Sequence, residues 1–490
     1  MSDELSQKTA RAFKWSSITE LIAKLVAPCI NMILARILAP DDFGMLATVT
    51  MVISFAEIFV ESGFQKFLIQ HEFVDSKEEN RYLSVAFWSN LAISMLLFSG
   101  LVVFSQEIAI LVGNEGSGLP IAVSAIAVPL YGIVGIQNSI LKKRLEFKKL
   151  FFVRIFSAFT PLIVTLPLAL LGMGYWSLII GNLASIIVQI LILLVVGKYL
   201  PTKHFDFYEL KFMLGFGAWT LLDGLLVWAT NWIDSLLISS NLNDYYLGLY
   251  KNTSGTIISI FSIVTAAIAP VMFSSLSKLQ YDNSKFKELF LKTQHYLCVF
   301  LLPIGVGLFV YRGFATQIMF GSQWTEAADI VGVMALSTVL RTIFVSFYSD
   351  LYRAKGRFII PLVLQVIDVC VLIPLCIFSL QEGFWDFIYV RGVSKLLLII
   401  PELVCAWIFC KLSPRETYCA VWRPFFATIL MGCVAILLSF VGSSVSWTLL
   451  SIFICALFYF TILLCFKQER LMLLSPLKSF LNPRKNFTNL

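Results

Sequence analysis

Charge is scarce in this chain: Asp, Glu, Lys and Arg make up 14% of its 490 residues, against about 25% in ordinary soluble proteins. With hydrophobic residues at 58%, that scarcity excludes a soluble globular domain and implies a polytopic membrane protein. Histidine is nearly absent. Only His71, His204 and His295 occur, which leaves little for histidine-based metal or acid–base chemistry. The ten cysteines are scattered through apolar runs with no CxxC or Cys/His spacing, so neither a zinc site nor a disulfide framework is expected. A P-loop and a Ser–His–Asp set are also missing, which argues against an ATPase and against covalent catalysis. The chain reads as a non-enzyme with no cofactor. Its first ten residues are polar, and no cleavable signal precedes the first apolar run.

Long apolar runs, by contrast, are abundant. A helix needs about 20 apolar residues to cross a bilayer. Fourteen stretches qualify, from 14–37 and 43–64 at the start to 420–441 and 446–466 at the end; the first, the seventh (212–239) and the eighth (245–273) are the most polar. Basic residues are confined to alternate loops. One loop set holds Lys142, Lys143, Arg144, Lys148 and Lys149, then Lys198, Lys203 and Lys211, and later Arg353, Lys355 and Arg357. About 29 of the 37 basic residues fall in that set, and the opposite set holds Arg312 alone. The positive-inside rule makes that set and both termini cytoplasmic, with an even number of spans. The net charge of +7 then reflects topology and needs no nucleic-acid partner.

The chain also repeats itself. Trp15 matches Trp219 and Gly44 matches Gly248, both at an offset of 204 residues, and Leu38 faces Leu242 at the same offset. The expected fold is therefore all-α: fourteen transmembrane helices in two pseudo-symmetric six-helix halves (1–200 and 201–411), plus two C-terminal helices and a cytoplasmic tail (412–490). Parallel repeats of this kind are found in transporters that work by alternating access.

Lys24, Arg36, Arg154, Lys251, Arg341, Arg391 and Lys395 lie inside apolar spans. A cation at mid-bilayer costs at least ~3 kcal/mol, so such residues mark functional sites. Arg36 and Arg154 sit near span ends and read as interfacial anchors. Lys24, Lys251, Arg341, Arg391 and Lys395 are the candidate ligands of an anionic cargo, since ammonium and guanidinium groups suit phosphate. Structural ion pairing is the alternative, for example Lys24 with Glu20 one turn away. Glu20, Asp223 and Asp234 are the candidates for binding a coupling ion. Trp176, Trp324 and Trp447 fit an aromatic belt at the outer face.

The stretch Leu34-Ala35-Arg36-Ile37-Leu38-Ala39-Pro40-Asp41-Asp42-Phe43-Gly44, followed by Glu61-Ser62-Gly63-Phe64 and Leu68-Ile69-Gln70, resembles the bacterial polysaccharide-transporter family. These are the Wzx-type flippases of the multidrug/oligosaccharidyl-lipid/polysaccharide exporter superfamily. The resemblance implies flipping of undecaprenyl-diphosphate-linked oligosaccharide, an O-antigen or exopolysaccharide repeat unit, across the bacterial inner membrane. It further implies partnership with a polysaccharide polymerase and a chain-length regulator. An ion-coupled multidrug exporter of the same superfamily is the runner-up, although cationic drugs would favour an acidic lining. A membrane polymerase or ligase would need a larger outer loop than residues 105–118 or 312–326 supply.

Overall fold

The computed structural model describes residues 2–61, 63–197, 201–442 and 444–470. Ser62, Lys198, the side chain of Trp219 and the tail beyond residue 470 lie outside the described residues. Among the described residues the fold is helical, with no β-strand. Among the described residues, thirteen helical stretches are long and apolar enough to cross a membrane, which makes this a multi-pass membrane protein. They match thirteen of the fourteen expected spans. The remaining one, expected at 245–273, lies within a continuous helix, Asp244–Lys278.

Three spans break four residues before a proline. A helical proline clashes with the carbonyl four residues earlier. The fourth span breaks between Gly118–Ser124 and Ala127–Lys143, four residues before Pro129. The fifth ends its first segment at Ile163, four before Pro167, and the twelfth breaks after Leu397, four before Pro401. Polar residues fix the starts. Asp75 accepts from Glu78 N at 2.7 Å, and Ser413 forms a capping box with Glu416 ahead of Pro414–Val441. Asp282 caps Asn283–Val310; hydrogen bonds from Ser284 and the Lys285 backbone hold its carboxyl down to about 2.

Two compact units are present. The first comprises Met1–Pro270, Met319–Ile330 and Pro361–Ser394. Its core gathers Val49, Val52, Ala56 and Val60 from Pro40–Glu61 around Val128, Val153, Ile186 and Leu193. The second comprises Val271–Ile318, Val331–Ile360 and Lys395–Leu490. There Val299, Met431, Ala435 and Tyr459 pack Asn283–Val310 against the last two helices. Gly305 and Gly432 lie against Val339 and Val306, the small-residue contacts that let helices approach closely in lipid.

The first hairpin, which carried the family resemblance, is locked by a distant segment of the first unit. Gln323 Nε2 donates to Ala35 O at 2.8 Å and Leu38 O at 3.0 Å, and Trp324 Nε1 donates to Ala35 O at 2.7 Å. The bonds to Ala35 O satisfy a carbonyl orphaned at the end of Ser2–Ala35. Trp324 is fully buried and meets Phe43 edge-on at 5.4 Å. It is therefore an internal clamp, which corrects the expectation that it belongs to a lipid-facing belt.

Gly44 and Gly248, the repeat-related pair, lie against each other's helix starts. A Cβ on Gly44 would strike the Asp244 carbonyl, and one on Gly248 the Pro40 carbonyl. Only glycine permits that backbone approach.

Candidate functional site

Charged side chains inside the spans of each unit form small clusters. In the first unit, Phe207–Asn241 carries Asp234, Asp244–Lys278 carries Tyr250 and Lys251, and Phe384–Leu397 carries Arg391. Arg391 Nε donates to Asp234 Oδ2 at 3.1 Å, and Tyr250 Oη donates to the same oxygen at 2.5 Å. Ser235 N and Oγ donate to Asp234 Oδ1 at 2.7 and 3.2 Å. Asp234 and Arg391 are both buried, so each neutralises a charge that would be expensive alone in a low dielectric. Lys251 stands beside them, half-buried. Its Nζ donates to Asn231 O at 2.7 Å and lies 3.7 Å from the centroid of the Trp232 ring, a cation–π contact. Two residues expected in different roles, cargo binding for Arg391 and ion coupling for Asp234, thus hold one another.

Lys24 and Glu20 do not pair. The Glu20 carboxylate is taken by Arg154, 134 residues away on Phe147–Ile163. Arg154 is thus a paired residue rather than a simple interfacial anchor. Lys24 is half-buried and makes no ion pair among the described residues. Asp223 is likewise half-buried without an ion pair among them. Two turns further along the same helix from Lys24, Asn31 Nδ2 donates to Asn252 Oδ1 at 2.6 Å and Thr256 Oγ1 at 2.8 Å. These bonds join Ser2–Ala35 to the helix that carries Lys251.

In the second unit, Lys395 is buried, and its Nζ lies 3.2 Å from Met334 Sδ and 3.4 Å from Thr338 Oγ1. Arg341 is half-buried and within electrostatic reach of the buried Glu402. Tyr352 Oη donates to the Glu402 backbone carbonyl at 2.8 Å. Directly after Arg341 the helix widens into a π segment, Thr342–Ser346, a distortion often found at functional sites. Sequence reasoning missed Tyr250, the pairing of Arg154 with Glu20, and this segment. A tyrosine, glutamate or arginine within an apolar run gives the residue but not its partner. No sequence signal marks the π segment.

Among the described residues no group of three or more His, Cys, Asp or Glu is placed to hold a metal ion. The arrangement offers fixed positive charge and hydrogen-bond donors. It suits recognition of an anion by electrostatics.

Comparison with known proteins agrees with the helical architecture. The inward closed lipid II flippase MurJ shares the fold with a TM-score of 0.76 at 15% identity, over 94% of this chain and all of that one. An inward-facing multidrug transporter of the MATE family matches with a TM-score of 0.64 at 12% identity, over 80% of this chain and 98% of its own. In sequence, the succinoglycan biosynthesis transport protein ExoT of Rhizobium meliloti is 26% identical over 63% of this chain and 62% of its own length. The teichuronic acid biosynthesis protein TuaB of Bacillus subtilis is 26% identical over 86% of this chain and 87% of its own. A family model described as polysaccharide biosynthesis protein matches residues 33–329, more than half of the sequence. The chain belongs to that polysaccharide biosynthesis protein family.

Proposed function

We propose that this protein is a flippase that moves undecaprenyl-diphosphate-linked oligosaccharide across the bacterial inner membrane by alternating access, with both termini cytoplasmic. The observation that carries the reading is Lys24: a half-buried cation within an apolar span, with no ion pair among the described residues, in a chain of this family. An unneutralised charge at that depth is retained where a ligand or water neutralises it. Lys24, Lys251, Arg341, Arg391 and Lys395 are the proposed readers of the diphosphate. Among the acids, Asp223 is best placed to couple an ion, because Glu20 and Asp234 each hold an arginine. The two repeat-related halves, 1–200 and 201–411, would supply the alternating motion. A polymerase and a chain-length regulator are the proposed partners.

Lys24→Gln is expected to lower transport about tenfold or more, the equivalent of one lost charge-assisted hydrogen bond, with membrane accumulation unchanged. Complementation of a transport-null strain at native expression tests it. Full complementation by Lys24→Gln would remove Lys24 from cargo recognition.

A further inference from the structure

One cavity of the first unit takes no part in the charged clusters. It lies where the short helix Phe64–Gln70 meets the start of Phe207–Asn241 and has a volume of about 770 Å³, within the roughly 300–1,000 Å³ of small-molecule sites. By the loop-charge pattern this is the cytoplasmic end. We propose that it is the binding site for the sugar rings of the cargo, an inference that rests on the lipid-linked oligosaccharide reading above.

The lining is aromatic with a polar edge. Phe67 stacks on the His71 imidazole with ring centroids 4.7 Å apart, and Phe212 meets both rings edge-on at 5.7 and 5.9 Å. Gln70, Tyr208 and Lys211 complete the wall. Tyr208 is 76% exposed and Phe212 52%, so both rings are open to an occupant. The wall is also braced. Lys143 Nζ donates to Leu68 O at 3.0 Å and His71 O at 2.6 Å, and sits 3.6 Å from the Phe73 ring centroid. A cation on those carbonyls stabilises the end of the short helix.

This chemistry selects its occupant. A pyranose ring offers an apolar C–H face and a rim of hydroxyls that both donate and accept. Aromatic faces take the first. An amide, an imidazole and a phenol, each with donor and acceptor capacity, take the second. A phosphate site would gather several cations, whereas among the described residues Lys211 is the one cation lining this cavity. Gly215 forms part of the floor, and a Cβ placed there meets no atom within 4 Å. The open space beside Gly215 supplies a test that does not disturb packing.

Full-length protein in detergent would be titrated by saturation-transfer NMR with the oligosaccharide released by mild acid from the host strain's own lipid-linked repeat unit. Gly215→Leu, which places a branched side chain in the cavity, is expected to raise the Kd at least tenfold. Tyr208→Ala, at an exposed position that leaves the fold intact, should raise it several-fold. Gly100→Leu, at a helical glycine also without neighbours within 4 Å, should leave it unchanged. Translocation of the intact lipid-linked glycan would be followed in parallel in proteoliposomes. Wild-type binding to the free glycan that survives both Gly215→Leu and Tyr208→Ala overturns the site. Translocation without detectable binding of the free glycan does the same, and leaves the flippase reading standing. Neither binding nor translocation by the wild type overturns both.

Discussion

Arg391→Leu is expected to deplete the protein from the membrane, while Asp234→Asn combined with Arg391→Leu restores most of it. Removing one partner of a buried ion pair leaves an uncompensated charge and costs about 3–5 kcal/mol, whereas removing both is often close to neutral. Asp234 is bound by Arg391 Nε, Tyr250 Oη and Ser235, so the single variant strands a carboxylate with only neutral donors. The asparagine of the double variant keeps an oxygen for Tyr250 and carries no charge. Thermal unfolding in detergent and accumulation of a fluorescent fusion would measure both. A single variant as stable as wild type would show that the pair is not holding these helices, and a double variant no better than the single would show that the two residues are uncoupled. Transport by the double variant then separates architecture from cargo contact: recovery of transport assigns the pair to architecture, and stability without transport assigns Arg391 to the diphosphate.

Gly44→Ala and Gly248→Ala are expected to be as damaging as any alanine substitution in the chain. Overpacking ordinarily costs about 1–3 kcal/mol because side chains can shift. Here the obstacle is a backbone carbonyl in each case, which cannot rotate away without disturbing a helix start. Each variant should lose at least tenfold in mature protein, measured by quantitative immunoblotting of membranes. Gly100→Ala serves as the control, since nothing lies within 4 Å of the added methyl. Normal levels of Gly44→Ala would mean that the close approach of Pro40–Glu61 to Asp244–Lys278 is not required.

Much of this architecture was legible in the sequence, for identifiable reasons. Membrane spans are written in composition, because lipid demands about 20 apolar residues per crossing. Gly44 and Gly248 stood out in the sequence as a matched pair, and the structure sets each against the other's helix start, a backbone contact that permits glycine alone. Pairing was harder. The i, i+4 rule sees only one helix, so it offered Lys24 as the partner of Glu20 where Arg154 takes that place across a helix interface. The same blindness hid the Asp234–Tyr250–Arg391 cluster, whose members come from three helices. Trp324 looked like a belt residue because a tryptophan at a span end has the same composition signal whether it faces lipid or closes a hairpin. The aromatic cavity beside Gly215 was hidden because its two walls are well over a hundred residues apart.

The central claim is that the cargo is recognised through its diphosphate and moved between leaflets. The most direct measurement is leaflet-resolved translocation in proteoliposomes, with undecaprenyl-diphosphate-linked oligosaccharide compared with the same glycan on a lipid lacking the diphosphate, under an imposed ion gradient. The account predicts movement of the diphosphate form alone, reduced about tenfold by Lys24→Gln. Equal movement of both lipids, or gradient-driven efflux of cationic dyes with neither lipid moved, would contradict it.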